Sequence, residues 1–198
     1  KSAEGSHEVR GRTLGIVGYG NIGSQLSVVA EMLGMQVYFY DAEEKLALGN
    51  ARRCSSLEAL LDVAETVTLH VDGRMGNAGI FGREQIARMR PRSIFLNLSR
   101  GFLVDYDALA EGLASGHVAG AAVDVFPDEP RNRGDHFDSP LRGLDNVILP
   151  PHVGGSTEEA QEDIGRFVGA KLRDYVRHGI TSLSVNLPAL TPERGELP

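Results

Sequence analysis

Three residues far apart in the chain have the chemistry needed to move a hydride: Arg100, Glu129 and His152. A hydride leaves a carbinol carbon only as the hydroxyl proton is taken. A histidine is the usual acceptor because its pKa is near neutral. His152 lies in Pro150-Pro151-His152-Val153-Gly154-Gly155, a turn stiffened by two prolines. A carboxylate bonded to the imidazole would fix its tautomer and stabilise the imidazolium, and Glu129 is the candidate. Arginine grips a substrate carboxylate with two parallel bonds, and Arg100, in Asn97-Leu98-Ser99-Arg100-Gly101, is placed to do so. Taken singly, each has a plain alternative: a solvated turn histidine, a Glu-Pro turn, an Arg-Gly surface turn.

The elements that would position them decide between these readings. Gly15-Ile16-Val17-Gly18-Tyr19-Gly20-Asn21-Ile22-Gly23 reads as a strand end, a tight turn and a helix start. In the spacing Gly18-x-Gly20-x-x-Gly23, the first glycine allows the turn, the second lets a pyrophosphate approach the backbone, and the third lets helix and strand pack closely. The helix start offers unpaired N–H groups and a positive dipole end to phosphates. Ile22, Leu26, Val29, Ala30 and Leu33 recur at helical spacing and predict the buried face. A second strand, 36–40, ends at Asp41, 18 positions after Gly23, close to where a ribose-binding carboxylate is expected. Such a carboxylate would favour NAD over NADP by repelling a 2′-phosphate.

Further strands are predicted over 66–71, 93–98, 118–123 and 146–149, with helices over 56–63, 83–90 and 105–115. The segment 42–53 reads as a polar loop. Ser156 and Glu159 predict a capping box for a long helix burying Ala160, Ile164, Phe167, Val168, Leu172 and Tyr175, with Gly179 closing it. Strands alternating with helices imply a Rossmann-type, doubly wound parallel α/β sheet of about six strands with helices on both faces. Ligands bind such sheets at the carboxyl ends of their strands. Asp41, His70 with Val71, Arg100, Asp124 and His152 all fall there, so one crevice should gather them.

The chain has 198 residues, a net charge of -7 and ordinary hydrophobic content. The charge argues against a general affinity for nucleic acid or membrane surfaces. No apolar run is long enough to span a bilayer, no signal segment is visible, and no metal-ligating cluster stands out. Cys54 is the single cysteine, which fits a cytoplasmic protein.

The blocks Gly-Tyr-Gly-Asn-Ile-Gly at 18–23, Tyr-Phe-Tyr-Asp at 38–41, Asn-Leu-Ser-Arg-Gly at 97–101, Ala-Val-Asp-Val-Phe-Pro-Asp-Glu-Pro at 122–130 and Pro-His-Val-Gly-Gly-Ser-Thr-Glu-Glu-Ala-Gln at 151–161 resemble the cofactor domain of the D-2-hydroxyacid dehydrogenases. The last block, with Leu-Ser-Val-Asn-Leu-Pro at 183–188, looks like the phosphoglycerate branch of that family. The resemblance implies Arg100 as substrate-binding, Glu129 as the histidine's partner and His152 as the acid–base group. It implies NAD contacts at Asn21, Ile22, Asp41, Leu98, Ser99, Asp124, Val153, Gly154 and Gly155, alongside the glycine turn. It further implies a small hydroxy-acid substrate, 3-phosphoglycerate, and a homo-oligomer for the full-length protein. Two alternatives stand beside this: an NAD-sensing corepressor-like binding protein, and a dehydrogenase of glyoxylate or another small 2-keto acid.

One block departs from the family. Where a loop of the form Pro-x-x-Pro-x-Thr is usual after His70-Val71, this chain has Asp72-Gly73-Arg74-Met75-Gly76-Asn77. The expected organisation is an incoming linker over 1–11, an NAD-binding domain over 12–155, a return helix over 156–179 and an exiting arm over 180–198. The substrate domain lies outside this sequence, which begins at Lys1 and reads as a piece of a longer protein.

Overall fold

The computed structural model describes residues 6–130, 132, 134–184, 186–188 and 190. The outer parts of the linker (1–5) and arm (191–198) lie outside the described residues. The chain divides into two compact units, 1–151 and 152–198.

In the first unit the order is β1 (Thr13–Val17), α1 (Asn21–Met32), β2 (Gln36–Tyr40), β3 (Arg52–Arg53), α2 (Leu57–Val63), β4 (Thr66–Leu69), α3 (Arg83–Arg88), β5 (Ser93–Asn97), α4 (Tyr106–Ala114), β6 (Val118–Val123) and β7 (Val147–Ile148). Among the described residues these form one seven-stranded sheet in the order β3-β2-β1-β4-β5-β6-β7. Every pairing is parallel, with Leu14 opposite Val37 on one side and Thr66 on the other. Each of the six expected strands is present. The seventh is β3, inside the segment expected to be a loop: its two residues are exposed arginines and leave no apolar run to read. From β1 the chain turns to β2 on one side and reaches β4 on the other, so the switch in strand order lies between β1 and β4. That is where such sheets open a crevice.

Alternation along β1 splits the core in two. Leu14 and Ile16 join Ala30, Val37 and Phe39 on the α1 side. Val17 joins Leu60, Leu61, Leu69, Phe95, Leu103, Leu109 and Val123 on the side of α2, α3 and α4. Helices thus cover both faces at β1. The α1-side cover does not reach β5 and β7, where Ile94 is 45% and Ile148 68% exposed. The buried face of α1 is Gly23, Ser27 and Ala30 rather than the stripe of larger residues. Of that expected stripe only Ala30 is buried; Ile22, Val29 and Leu33 are exposed. Small residues win because the helix lies close to the sheet: a side chain at position 23 would run into the carbonyl oxygen of Gly18. Ser27 keeps its hydroxyl satisfied there, donating to the Ser24 carbonyl at 2.7 Å and sharing a bond with the Tyr19 hydroxyl at 2.7 Å. Ser56 and Asp105 cap α2 and α4 by accepting from Ala59 and Ala108.

The second unit is α5 (Glu158–His178) and its arm. Its cap is Thr157, not Ser156. The Thr157 hydroxyl accepts from the Ala160 N–H at 3.1 Å because the helix begins one residue later than the capping box requires. Glu158 and Glu159 stand in the first turn and Arg177 and His178 in the last, both favourable to the helix dipole. Gly179 ends it with φ 65°. No residue of α5 is buried, which corrects the expected buried face. Phe167, Leu172 and Tyr175 line only a shallow groove with Leu183 and Leu187 of the arm. Thr181 folds the arm back, its hydroxyl donating to the Pro188 carbonyl and accepting from the Leu190 N–H.

Candidate functional site

The turn after β1 is fixed by two close approaches. Gly18 has φ 90°, and a side chain on it would lie 2.6 Å from the His70 carbonyl carbon, so only glycine lets β1 and β4 end side by side here. The Gly18 N–H donates to the Tyr40 carbonyl at 2.8 Å, and the His70 N–H donates to the Val17 carbonyl at 2.7 Å. Gly20 faces open space: a methyl group placed on its Cα would meet nothing within 4 Å. Gly20 is the N-cap of α1, no side chain caps that helix, and no acidic residue stands in its first turn. The leading N–H groups of Asn21, Ile22 and Gly23 are therefore open to an anion in both charge and geometry.

A cleft of about 360 Å³ runs from this turn. Gly18, Gly20, Asp41, His70 and Val71 line it, together with Lys45, Arg74 and Ile80. Asp41 is built into its wall. One carboxylate oxygen accepts from the Tyr19 N–H at 2.7 Å and the other from the Glu43 N–H at 2.9 Å. Each oxygen keeps a second lone pair for a hydroxyl of a ligand. Lys45 pairs with Glu43 at 2.5 Å, and that bond holds its ammonium pKa above the ordinary value. Burial pushes the His70 imidazole pKa down, and its Nε2 shares a bond with the Thr68 hydroxyl at 2.9 Å. The His70 backbone, rather than its ring, shapes the turn.

Arg100 stands two strands away, past β5, on a turn organised by buried Asn97. The Asn97 amide nitrogen donates to the Arg100 carbonyl and to the Tyr106 hydroxyl, both at 3.0 Å. The Asn97 side-chain oxygen accepts from the Ser99 N–H at 3.1 Å. Tyr106 donates onward to the Val125 carbonyl at 2.6 Å, and burial pushes its phenol pKa well up. Asp124 follows β6 directly, its N–H donating to the Asn97 carbonyl at 3.0 Å. Glu129 accepts from the Phe126 N–H at 2.9 Å. Ser99 is tied to β4, its hydroxyl donating to the Leu69 carbonyl at 2.7 Å, while Leu98 is half-exposed. The ends of β4, β5 and β6 are therefore laced together, with Arg100 and Glu129 carried on the lacing. Asn97 and Tyr106 are the residues that sequence reasoning missed. The signal was a polar side chain at the last position of an apolar strand.

His152, Val153, Gly154 and Gly155 open the second unit, all exposed. His152 has φ 49°, a left-handed conformation uncommon outside glycine. The structure thus brings Gly18, Gly20, Asp41, His70 and Val71 to one cleft, and within the first unit links Arg100, Ser99 and Asp124 through Asn97, while Glu129 is held by the Phe126 N–H. The His152 block belongs to the other unit. Among the described residues no three His, Cys, Asp or Glu side chains could hold a metal.

An open space over an uncapped helix start, beside a carboxylate with spare lone pairs, fits a dinucleotide: phosphate at one end and ribose at the other. Residues 1–154 match the sequence profile of the D-isomer specific 2-hydroxyacid dehydrogenase NAD-binding domain. The chain belongs to that family, and its cofactor is NAD. Among particular relatives it is 53% identical over 191 residues to a D-3-phosphoglycerate dehydrogenase of Haemophilus influenzae, covering 96% of this chain and 47% of the relative. It is 51% identical to the enzyme of the same name from Escherichia coli K12, with the same coverage. Among solved structures it resembles an NAD-dependent formate dehydrogenase from Staphylococcus aureus in complex with NAD. The TM-score is 0.75 at 28% identity, covering 87% of this chain and 50% of that one. The chain spans about half the length of the curated relatives it matches.

Proposed function

We propose that this chain is the NAD-binding part of a D-3-phosphoglycerate dehydrogenase, which oxidises 3-phosphoglycerate to 3-phosphohydroxypyruvate, the first step of serine biosynthesis. The observation that carries this reading is its 53% identity to an enzyme of that name across 96% of the chain. NAD, when bound, accepts the hydride. In this reading Arg100 grips the substrate carboxylate with its planar fork. His152 takes the hydroxyl proton, and Glu129 holds its imidazole in the productive tautomer and stabilises the imidazolium. The N–H groups of Asn21, Ile22 and Gly23 hold the pyrophosphate, and Asp41 accepts from the adenosine ribose hydroxyls, which favours NAD over NADP. Leu98, Ser99, Asp124, Val153, Gly154 and Gly155 complete the cofactor contacts toward the nicotinamide. The half-exposed Leu98 and Val153 support this, since they offer apolar surface at strand and turn ends.

The whole protein is proposed to be a homo-oligomer in the cytoplasm. The exposed Val28 and Met32 on α1, with Leu33 just after it, support a subunit contact. Among the described residues no helix is long and apolar enough to cross a membrane.

The test is His152→Ala in the full-length protein. NADH binding, measured by calorimetry, should be near normal, while oxidation of 3-phosphoglycerate should fall ~10²–10⁴-fold, the usual worth of acid–base catalysis. A wild-type protein that binds NADH but turns over no hydroxy acid would favour an NAD-sensing binding protein. Turnover of glyoxylate in preference to 3-phosphoglycerate would reassign the substrate.

A further inference from the structure

The loop that departs from the family forms one wall of the cofactor cleft, and a single carboxylate braces it. Asp72 Oδ1 accepts from the Arg74 N–H at 3.2 Å and from the Asn77 side-chain amide at 2.9 Å. Asp72 Oδ2 pairs with Arg74 Nε at 3.0 Å. The Asn77 amide nitrogen also reaches the Asp72 carbonyl at 3.2 Å, and the Asn77 N–H donates to the Arg74 carbonyl at 2.9 Å. Hydrogen bonds accepted by Asp72 therefore replace the stiffness that prolines would supply. They hold Arg74 by both its backbone and its Nε, which fixes the plane of the guanidinium. That side chain is 76% exposed and lines the same cleft as Asp41.

We propose that Arg74 is a cofactor-contacting residue, its guanidinium lying over the adenine ring and closing the adenosine end of the cleft. This rests on the placement of the dinucleotide proposed above. The pyrophosphate belongs at Gly20 and the ribose at Asp41, so the base continues along the cleft away from the helix start. Val71 and Ile80 supply an apolar surface to this cleft, and Arg74 supplies a planar cation. A guanidinium favours the face of an aromatic ring both by charge and by stacking. The charges beside it are already matched, Arg74 with Asp72 and Lys45 with Glu43. The planar face, rather than an unbalanced charge, is what the loop offers a ligand.

The experiment is calorimetry of NADH and ADP-ribose binding to the full-length protein, comparing wild type with Arg74→Ala, Arg74→Lys and Asp41→Ala. Arg74 is exposed, so its substitution leaves the fold intact. Arg74→Ala should weaken both ligands ~3- to 30-fold, the span of cation–π contacts from exposed to desolvated sites. Arg74→Lys should restore little of this, because an ammonium keeps the charge and loses the plane. Unchanged affinity in Arg74→Ala would overturn the proposal. Full rescue by Arg74→Lys would overturn it as well, assigning the effect to a point charge. If Asp41→Ala weakens NADH while Arg74→Ala does not, only the Arg74 contact fails. If wild type binds neither ligand, the cofactor placement itself fails.

Discussion

Neighbouring strands β4 and β5 each end in a turn of the candidate site, and the two turns are held in opposite ways. After β5, buried Asn97 gathers the Ser99 N–H and the Tyr106 hydroxyl away from water, and the Arg100 carbonyl at the edge of the buried region. After β4, Asp72 gathers Arg74 and Asn77 by a comparable number of bonds at the exposed surface. The geometry is similar and the energetics are not. A buried polar group that loses its partner bears the full desolvation cost, whereas an exposed one regains water. The β5 turn is therefore part of the fold's stability. The β4 loop is a local adjustment that can vary without unfolding the sheet. This explains how a chain can replace the proline-bearing loop form and still carry Arg100 and Glu129 on an undisturbed frame.

The comparison is sharpest at Asn97. Asn97→Ala removes three hydrogen bonds, two of them buried, and should destabilise the 198-residue chain by ~3 kcal/mol, read from the midpoint of urea unfolding. Tyr106→Phe removes the donor to the Val125 carbonyl and the acceptor for Asn97, and should cost about 1–2 kcal/mol in the same assay. Asp72→Ala should change stability by less than about 0.5 kcal/mol. It should still weaken NADH binding, by a smaller factor than Arg74→Ala, because Arg74 remains but loses its brace. An Asp72→Ala loss as large as that of Asn97→Ala would erase the distinction between the two turns.

What the sequence made legible was what it encodes over short spans. Gly18, Gly20, Gly23 and Asp41 lie within one βαβ unit, so their spacing carries their geometry, and the structure places the turn and the acid on one cleft. The five longer strands and the short β7 were legible from their apolar runs. The buried face of α1 was not, because the helix selects Gly23, Ser27 and Ala30 for size rather than hydrophobicity. The Asn97–Tyr106–Val125 chain was not legible either: it joins the ends of two strands to a helix, and no spacing rule links those positions. Asp72 was visible only as a lost proline, since a side chain bonding its own loop leaves no periodic trace. The apolar stripe of α5 reads as core in any helical projection, but burial depends on a partner surface that a helix's own sequence does not specify.

The two shortest strands have a consequence for how this protein behaves in a crowded solution. A parallel sheet has two open edges, and each exposes backbone groups that could recruit a strand from another molecule. Here both edges are strands of only two residues, β3 and β7. The β3 edge is a pair of exposed arginines, Arg52 and Arg53, so a second copy brought against it meets like charge at once. The β7 edge offers Val147 and Ile148, an apolar pair too short to align a neighbouring chain. The strands with long, continuous apolar runs are enclosed between these ends, so the segments best suited to aggregation have no open edge to work from.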